Sequence, residues 1–406
     1  MSFLLNYNNT FFTIDNNSKY GVFCQLYSQT GLSRPIQIQS LNCTDYSAAI
    51  NSSGSLHAIS MPSRHQITYF CYENGHYLKK SLVENATETY AFSNPAIHCI
   101  NNELHILYLS NRVGSNAYSI VHQTLNNAQV DTLLDTNYTF QNIKSYAYED
   151  TIYLFYIVQT DSYILNCLKI KDSKVEIVPL FSSKVPIYDY CVCLKDHHIY
   201  ITYIAELHGK YQLIFYSVKD KLSNVLCNTL SPSNPVIFWY YDYLWVNYLE
   251  DNKLYVVLSI NGGRSFSSPV LCSLQNTVGK YTFTTDKNSS LKCTELYASI
   301  GASIRLATLY AIDFENIHPD SKIALELELL FEGLLLSQKS SDSLTSLSLE
   351  NETLRSELKT LKLQYDRLLG HSASSHPDDK SAVSSIKSAA SAFMEELPNW
   401  DAPPRL

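Results

Sequence analysis

The chain has 406 residues, 45% of them hydrophobic and 17% charged, a balance that suits a globular protein with a large core. Its formal net charge of −8 argues against nucleic acid or an anionic membrane as the main partner, since both need a concentrated basic surface. No run approaches the apolar length of a membrane span, and the opening MSFLLNYNNTFF lacks the basic flank and apolar core of a secretory signal, so a cytoplasmic protein is expected.

Residues 1–332 read as a tandem array of short strands. Phe3–Tyr7 and Thr10–Ile14 supply the first two, so the array begins with an intact copy. The clearest copy is Ser145–Phe181, where four apolar runs rich in Tyr, Ile, Val and Leu are separated by polar breaks such as Glu149-Asp150-Thr151. The same pattern returns at Asn101-Asn102-Glu103 before LHILYL, at Asp196-His197-His198 before IYITYI, and at Tyr241-Asp242-Tyr243 before LWVNYL. Taking the start of the second strand in each copy (Thr10, Leu56, Leu104, Ile152, Ile199, Leu244, Leu291) gives steps of 46, 48, 48, 47, 45 and 47 residues. Seven such copies of four strands predict an all-β, seven-bladed propeller, with six blades as the alternative count. Ser321–Phe331 places alternate apolar residues on one face and resembles Ser173–Phe181, so it reads as the outer strand of the last blade; the ring would then close without a blade stitched from both chain ends.

After Gly333 the period changes. Leu344, Leu347, Asn351, Leu354, Leu358, Leu361, Tyr365 and Leu368 fall in alternating steps of three and four, a heptad seam within a helical segment spanning 333–370. Glu350 and Glu357 at g face Arg355 and Lys362 at e, and the single Asn351 at a fits a two-stranded coil, so a parallel homodimer is expected. The alternative is a helix packed back on the propeller. Residues 371–406 form a flexible tail, with one apolar stripe over 382–397 and Trp400 as an anchor for a further partner.

The ten cysteines are scattered and expected to be reduced core residues. Cys191 and Cys193 form a CxC on one face of a strand without a second pair at ligand spacing. Asp150, Asp196, Asp242 and Asp286 recur because Asn and Asp favour hairpin turns, and His197-His198 is a turn pair. No Walker loop, GxSxG, HExxH or zinc-spaced set occurs, so no cofactor and no metal are expected.

One turn carries a family resemblance. SINGGRSF, with Ser259, Asn261, Gly263, Ser265 and Phe266, resembles the Asp box of sialidase-type propellers, with Asn261 for Asp, Ser265 for Thr and Phe266 for Trp. The resemblance implies a structural turn between the third and fourth strands of a blade, its polar side chain capping the backbone and its ring packed beneath. It does not imply hydrolysis, which in that family needs three arginines, a Tyr/Glu pair and an acidic Asp. Of Arg34, Arg64, Arg112, Arg264 and Arg305, the second and third fall in equivalent loops and Arg264 on the opposite face. The favoured reading is a non-enzymatic interaction scaffold. Its loop face would bind a protein or glycan through Arg64, Arg112, Asp161, Glu206, Glu250 and Asp251, with the coil doubling valency. The alternatives are a sialidase-like glycosidase and a structural assembly protein acting through coil and tail.

Overall fold

The computed structural model describes residues 2–307, apart from 8–9, 29–30, 40–42, 44, 74, 126–129, 173, 208, 230, 241, 273–277, 286–290 and 301–303, and also residues 359–360. The chain divides into two compact units, Met1–Leu335 and Leu336–Leu406. In the second, only Lys359 and Thr360 are described, helical and exposed. The strand expected at 321–331, the rest of the heptad seam, the stripe at 382–397, Trp400 and Asp286 lie outside the described residues. Among the described residues no helix is long and apolar enough to cross a membrane.

The first unit is built from antiparallel blades. Blade 1 comprises β1 (Ser2–Tyr7), β2 (Thr10–Asn17), β3 (Gly21–Ser28) and the short β4 (Gly31–Leu32) and β5 (Ile36–Gln39), both paired with β3. Blade 2 comprises β6 (Tyr46–Ile50), β7 (Leu56–Ser63), β8 (Gln66–Glu73) and β9 (His76–Glu84). Blade 3 holds β10 (Tyr90–Ile100), β11 (Glu103–Arg112), β12 (Tyr118–Thr124) and β13 (Val130–Thr136). Blade 4 holds β14 (Phe140–Tyr148), β15 (Thr151–Gln159), β16 (Tyr163–Lys171) and β17 (Lys174–Ser183). Blade 5 holds β18 (Ile187–Lys195), β19 (His198–Leu207), β20 (Lys210–Ser217) and β21 (Leu222–Thr229). Blade 6 holds β22 (Pro232–Tyr240), β23 (Tyr243–Glu250), β24 (Lys253–Ser259) and β25 (Val270–Leu271). A last segment adds β26 (Val278–Thr285), β27 (Leu291–Cys293), β28 (Glu295–Ile300) and β29 (Ile304–Leu306).

Side-chain patterning explains the stacking. The second strands carry continuous apolar runs, as in the buried TIYLFYI of β15, because both faces of each sheet are covered by neighbouring blades. The outer strand β9 is exposed along most of its length. Six apolar clusters fill the gaps between consecutive blades. Phe155 and Ile201, for example, meet between blades 4 and 5, while Leu213 and Ile237 meet between blades 5 and 6. The cluster that closes the ring joins Leu4 and Phe11 of blade 1 to Trp245 of blade 6 through Phe283 and Leu296 of the last segment.

Tight hairpins set the period. Asn101 and Asn102 have φ of 50° and 62°, and Asp196 and His197 have 50° and 59°, so both central residues of each turn are left-handed, a conformation Asn and Asp tolerate best. Asp150 and Asp242 pair with Lys171 at 2.8 Å and Lys195 at 3.5 Å at equivalent turns.

The seventh copy does not make a seventh blade among the described residues, which form six. Its β26 lies parallel to β1 of blade 1, and its β27 lies antiparallel to β22 of blade 6. A few short strands are marginal alone in water, whereas the inward edges of β1 and β22 offer ready backbone donors and acceptors. The expectation of unstitched closure is therefore also corrected: β1 shares its sheet with β26, β28 and β29, so this sheet is drawn from both ends of the unit.

Candidate functional site

The innermost strands repeat a local device. Ladder register shifts between Ser93 and Ala96 in β10, between Gln141 and Lys144 in β14, and between Ser233 and Val236 in β22. Asn94, Asn142 and Asn234 sit in these bulges with φ of 51°, 48° and 51°. A bulge re-aims the side chains that follow it. In blade 4 the next residues are Ile143, Lys144, Ser145 and Tyr146, all of which line a cavity at the centre of the ring.

The last segment occupies part of that centre and leaves a cavity of about 570 Å³. Its walls are β6, β10 and β14 on one side and β26 and β27 on the other. Blades 2 to 4 contribute Ala48, Ala49, Ala96, Ser145 and Ala147 to the lining, together with larger side chains such as Tyr46, Tyr146 and Tyr148. Blades 5 and 6 present Tyr190, Phe238 and Trp239, packed solid.

A buried ionic cluster anchors the inner wall. Glu295, fully buried, receives the ammonium groups of Lys280 at 2.8 Å and Lys144 at 3.1 Å, and the Tyr146 hydroxyl donates to it at 3.0 Å. Lys144 also lies 3.4 Å from Asp189 and donates to the Tyr190 carbonyl at 2.5 Å. Burial alone would push the Glu295 carboxyl up, but the two ammonium groups outweigh it and hold the carboxyl at about 2. Two cations thus meet two carboxylates, and the cluster is neutral.

On the open side, His98 Nε2 and Ser145 Oγ share a hydrogen bond of 2.9 Å between blades 3 and 4. His98 begins a row of imidazoles across blade 3. It faces His105 in the ladder, and His105 Nδ1 lies 3.0 Å from His122 Nε2 with the rings stacked 5.2 Å apart. Burial, reinforced by His105, pushes His98 down to about 3, and burial lowers His105 and His122. Their rings are neutral at physiological pH. Among the described residues, no group of three or more His, Cys, Asp or Glu side chains is placed to hold a metal ion.

The rim residues expected to form one binding face occupy separate hairpins. Arg64 lies in the turn between β7 and β8 and donates to His65 at 3.1 Å; Arg112 ends β11. Asp161 lies between β15 and β16, Glu206 near the end of β19, Glu250 at the end of β23, and Asp251 in the turn that follows. Glu206 accepts the Tyr188 hydroxyl at 2.6 Å and Asp251 accepts Ser231 at 3.2 Å. These are equivalent hairpins of five different blades, and none of the six residues lines the cavity. Arg34 and Arg264 are not on its wall either.

The turn at 259–266 lies between β24 and β25 and is tightly knit. Gly263 N donates to Ser259 Oγ at 2.9 Å, Ser265 N donates to Asn261 Oδ1 at 2.9 Å, and Phe266 packs on Phe215 with ring centres 5.0 Å apart. These contacts hold the turn together and pack it against blade 5. Cys191 and Cys193 are free thiols buried between blades 5 and 6, and burial pushes the Cys191 thiol up to about 12.

What the sequence reading missed is the cavity wall. Its signal was the run of small residues at the inner strands, YSAAI at 46–50 and the Ala and Ser of 93–98 and 143–148, together with the repeated Ser-Asn-Pro at 93–95 and 233–235.

No family model matches the sequence, and no curated protein matches it. Solved structures that resemble the fold include the SapL1 lectin in complex with alpha methyl fucoside, at 8% identity and a TM-score of 0.41, over 66% of this chain and 94% of that one. TolB from Acinetobacter baumannii aligns at 13% identity and a TM-score of 0.40, over 66% of this chain and 64% of that one. An oligogalacturonate lyase in complex with manganese aligns at 8% identity and a TM-score of 0.46, over 72% of this chain and 86% of that one. All three neighbours are β-propeller proteins, and the similarity to them is one of fold.

Proposed function

We propose that the protein is a non-enzymatic binding propeller whose ligand sits in the half-channel between the inner strands of blades 2 to 4 and the last segment. The observation that carries this reading is the cavity itself: its volume of about 570 Å³ is that of a small-ligand site, and its wall brings together the polar groups of His98 and Ser145 with the apolar Ala96 and Ala147. The buried Glu295 cluster favours binding over turnover, since each carboxylate in it is already committed to a cation. The heptads at 344–368 support a homodimer in which two rings act together, raising avidity for a ligand displayed on a larger protein or glycan. The turn at 259–266 supports sialidase-type blade construction without its chemistry.

The test is a thermal-shift screen of the whole chain against small polar molecules, because a ligand that binds only the folded state at about 100 times its Kd stabilises it by about 2.7 kcal/mol. Ala147→Trp fills the half-channel from an exposed wall position and is expected to abolish the shift. A shift unchanged in Ala147→Trp but lost on replacing Arg64 and Arg112 would move recognition to the hairpin rim and overturn the reading.

A further inference from the structure

The wall of the half-channel specifies the class of its occupant, an inference that rests on the binding reading above. Four side chains on the wall carry charge at neutral pH, Asp45, Lys144, Glu149 and Lys292, and they cancel in sign. Lys144 is held by Glu295, Asp189 and the Tyr190 carbonyl, and Glu149 lies 3.3 Å from His197. Lys144 therefore offers no free charge to a ligand. Asp45 and Lys292, of opposite sign, share the wall with uncharged groups: the His98 and Ser145 pair from blades 3 and 4, the Thr284 hydroxyl from the last segment, and Ala96.

We infer that the half-channel binds an uncharged polyhydroxylated molecule, an unmodified sugar residue or a polyol, with Ser145, His98 and Thr284 exchanging hydrogen bonds with its hydroxyls. Hydroxyl and imidazole groups can each donate or accept, so they match a ring of alcohols whose own groups do both. His98 keeps this dual character at neutral pH, because burial keeps its ring unprotonated. A carboxylated or amino sugar would have to leave water for a wall with no net countercharge, which is costly for a lone ion.

The experiment is a titration of the whole chain with two matched sets of probes, followed by calorimetry. One set holds glucose, galactose, mannose, fucose and their methyl glycosides with inositol; the other holds glucuronate, N-acetylneuraminate and glucosamine. The expected result is binding by at least one neutral probe, none by its charged counterpart, loss of binding in Ala147→Trp, and a roughly tenfold weaker Kd in Ser145→Ala, the effect of one missing hydrogen bond. Ala147→Leu serves as a milder filling variant if the tryptophan disturbs folding. Binding of a charged probe that Ala147→Leu or Ala147→Trp removes would overturn the inference while leaving the cavity as the site. If probes bind in both filling variants as in the parent, or none binds at all, the cavity reading falls and the inference with it.

Discussion

The Glu295 carboxylate lies 3.1 Å from the Lys144 ammonium, although 151 residues separate them in the chain. Lys144 belongs to the inner strand of blade 4, and Glu295 to the segment that closes the ring between blades 6 and 1. One ion pair therefore spans the centre of the propeller. It holds the closing segment in place and fixes one wall of the cavity beside it.

Removing one partner of that buried cluster should be strongly destabilising. Glu295→Gln leaves Lys144 and Lys280 with only the partly exposed Asp189 as counter-charge, and urea unfolding should show a loss of about 3–5 kcal/mol. Adding Lys144→Met should cost less than the sum of the two single changes, because the second replacement removes a stranded charge. A Glu295→Gln loss below about 1 kcal/mol would show that the cluster does not anchor the segment.

Acid should destabilise the ring in two stages. His98 is held at about 3 and His57 at about 4, chiefly by burial, so both are neutral when folded and take up protons more readily when unfolded. Their contribution is complete above the ordinary histidine value of about 6.5 and is lost as pH falls below it. Glu295, held at about 2, adds stability that is present above the ordinary carboxylate range and lost as pH falls from there towards 2. Each histidine adds at most about 1.4 kcal/mol per pH unit to the slope. The melting temperature should drop steadily below neutrality, and His98→Gln should flatten the decline. A melting temperature constant between neutrality and about pH 5 would contradict this.

The turn at 259–266 should tolerate little change. Gly263 has φ of 89°, and a Cβ there would sit 2.4 Å from ring carbons of Phe215. Gly263→Ala should cost about 2–4 kcal/mol, combining backbone strain with a clash inside the interface of blades 5 and 6. Asn261→Ala removes the acceptor for Ser265 N and should cost about 1–2 kcal/mol; Asn261→Asp keeps that acceptor and should recover most of it. Chemical denaturation of the three variants checks the order.

The bulge asparagines test the inner strands. Asn234, at φ 51°, should accept glycine with little change, whereas Asn234→Ala should lose about 1–2 kcal/mol through the left-handed conformation it forces on alanine. Equal stability of the two variants would mean that the bulge relaxes.

The propeller was legible because its turns are written in residues with strong local preferences. Asn101-Asn102 and Asp196-His197 mark hairpins wherever they occur, and the apolar second strands between them recur at a nearly fixed period. The blade count was not legible to the last copy. Its strand pattern at 278–306 resembles the others, but its fate depends on the free edges of β1 and β22, which local sequence does not reveal. Arg64 and Arg112 drew attention because charge at hairpins is visible in sequence. The cavity wall mixes alanines and serines with larger side chains, and these become a site only when three inner strands face one another around a centre.

The most direct test of the half-channel as the recognition site is a crystal structure of the whole chain with the neutral glycoside that gives the largest thermal shift. The account predicts density between β10, β14 and β26, with a ligand hydroxyl within hydrogen-bonding distance of Ser145 or His98. Ligand density confined to the hairpins around Arg64 and Arg112, with the half-channel holding only water, would contradict it.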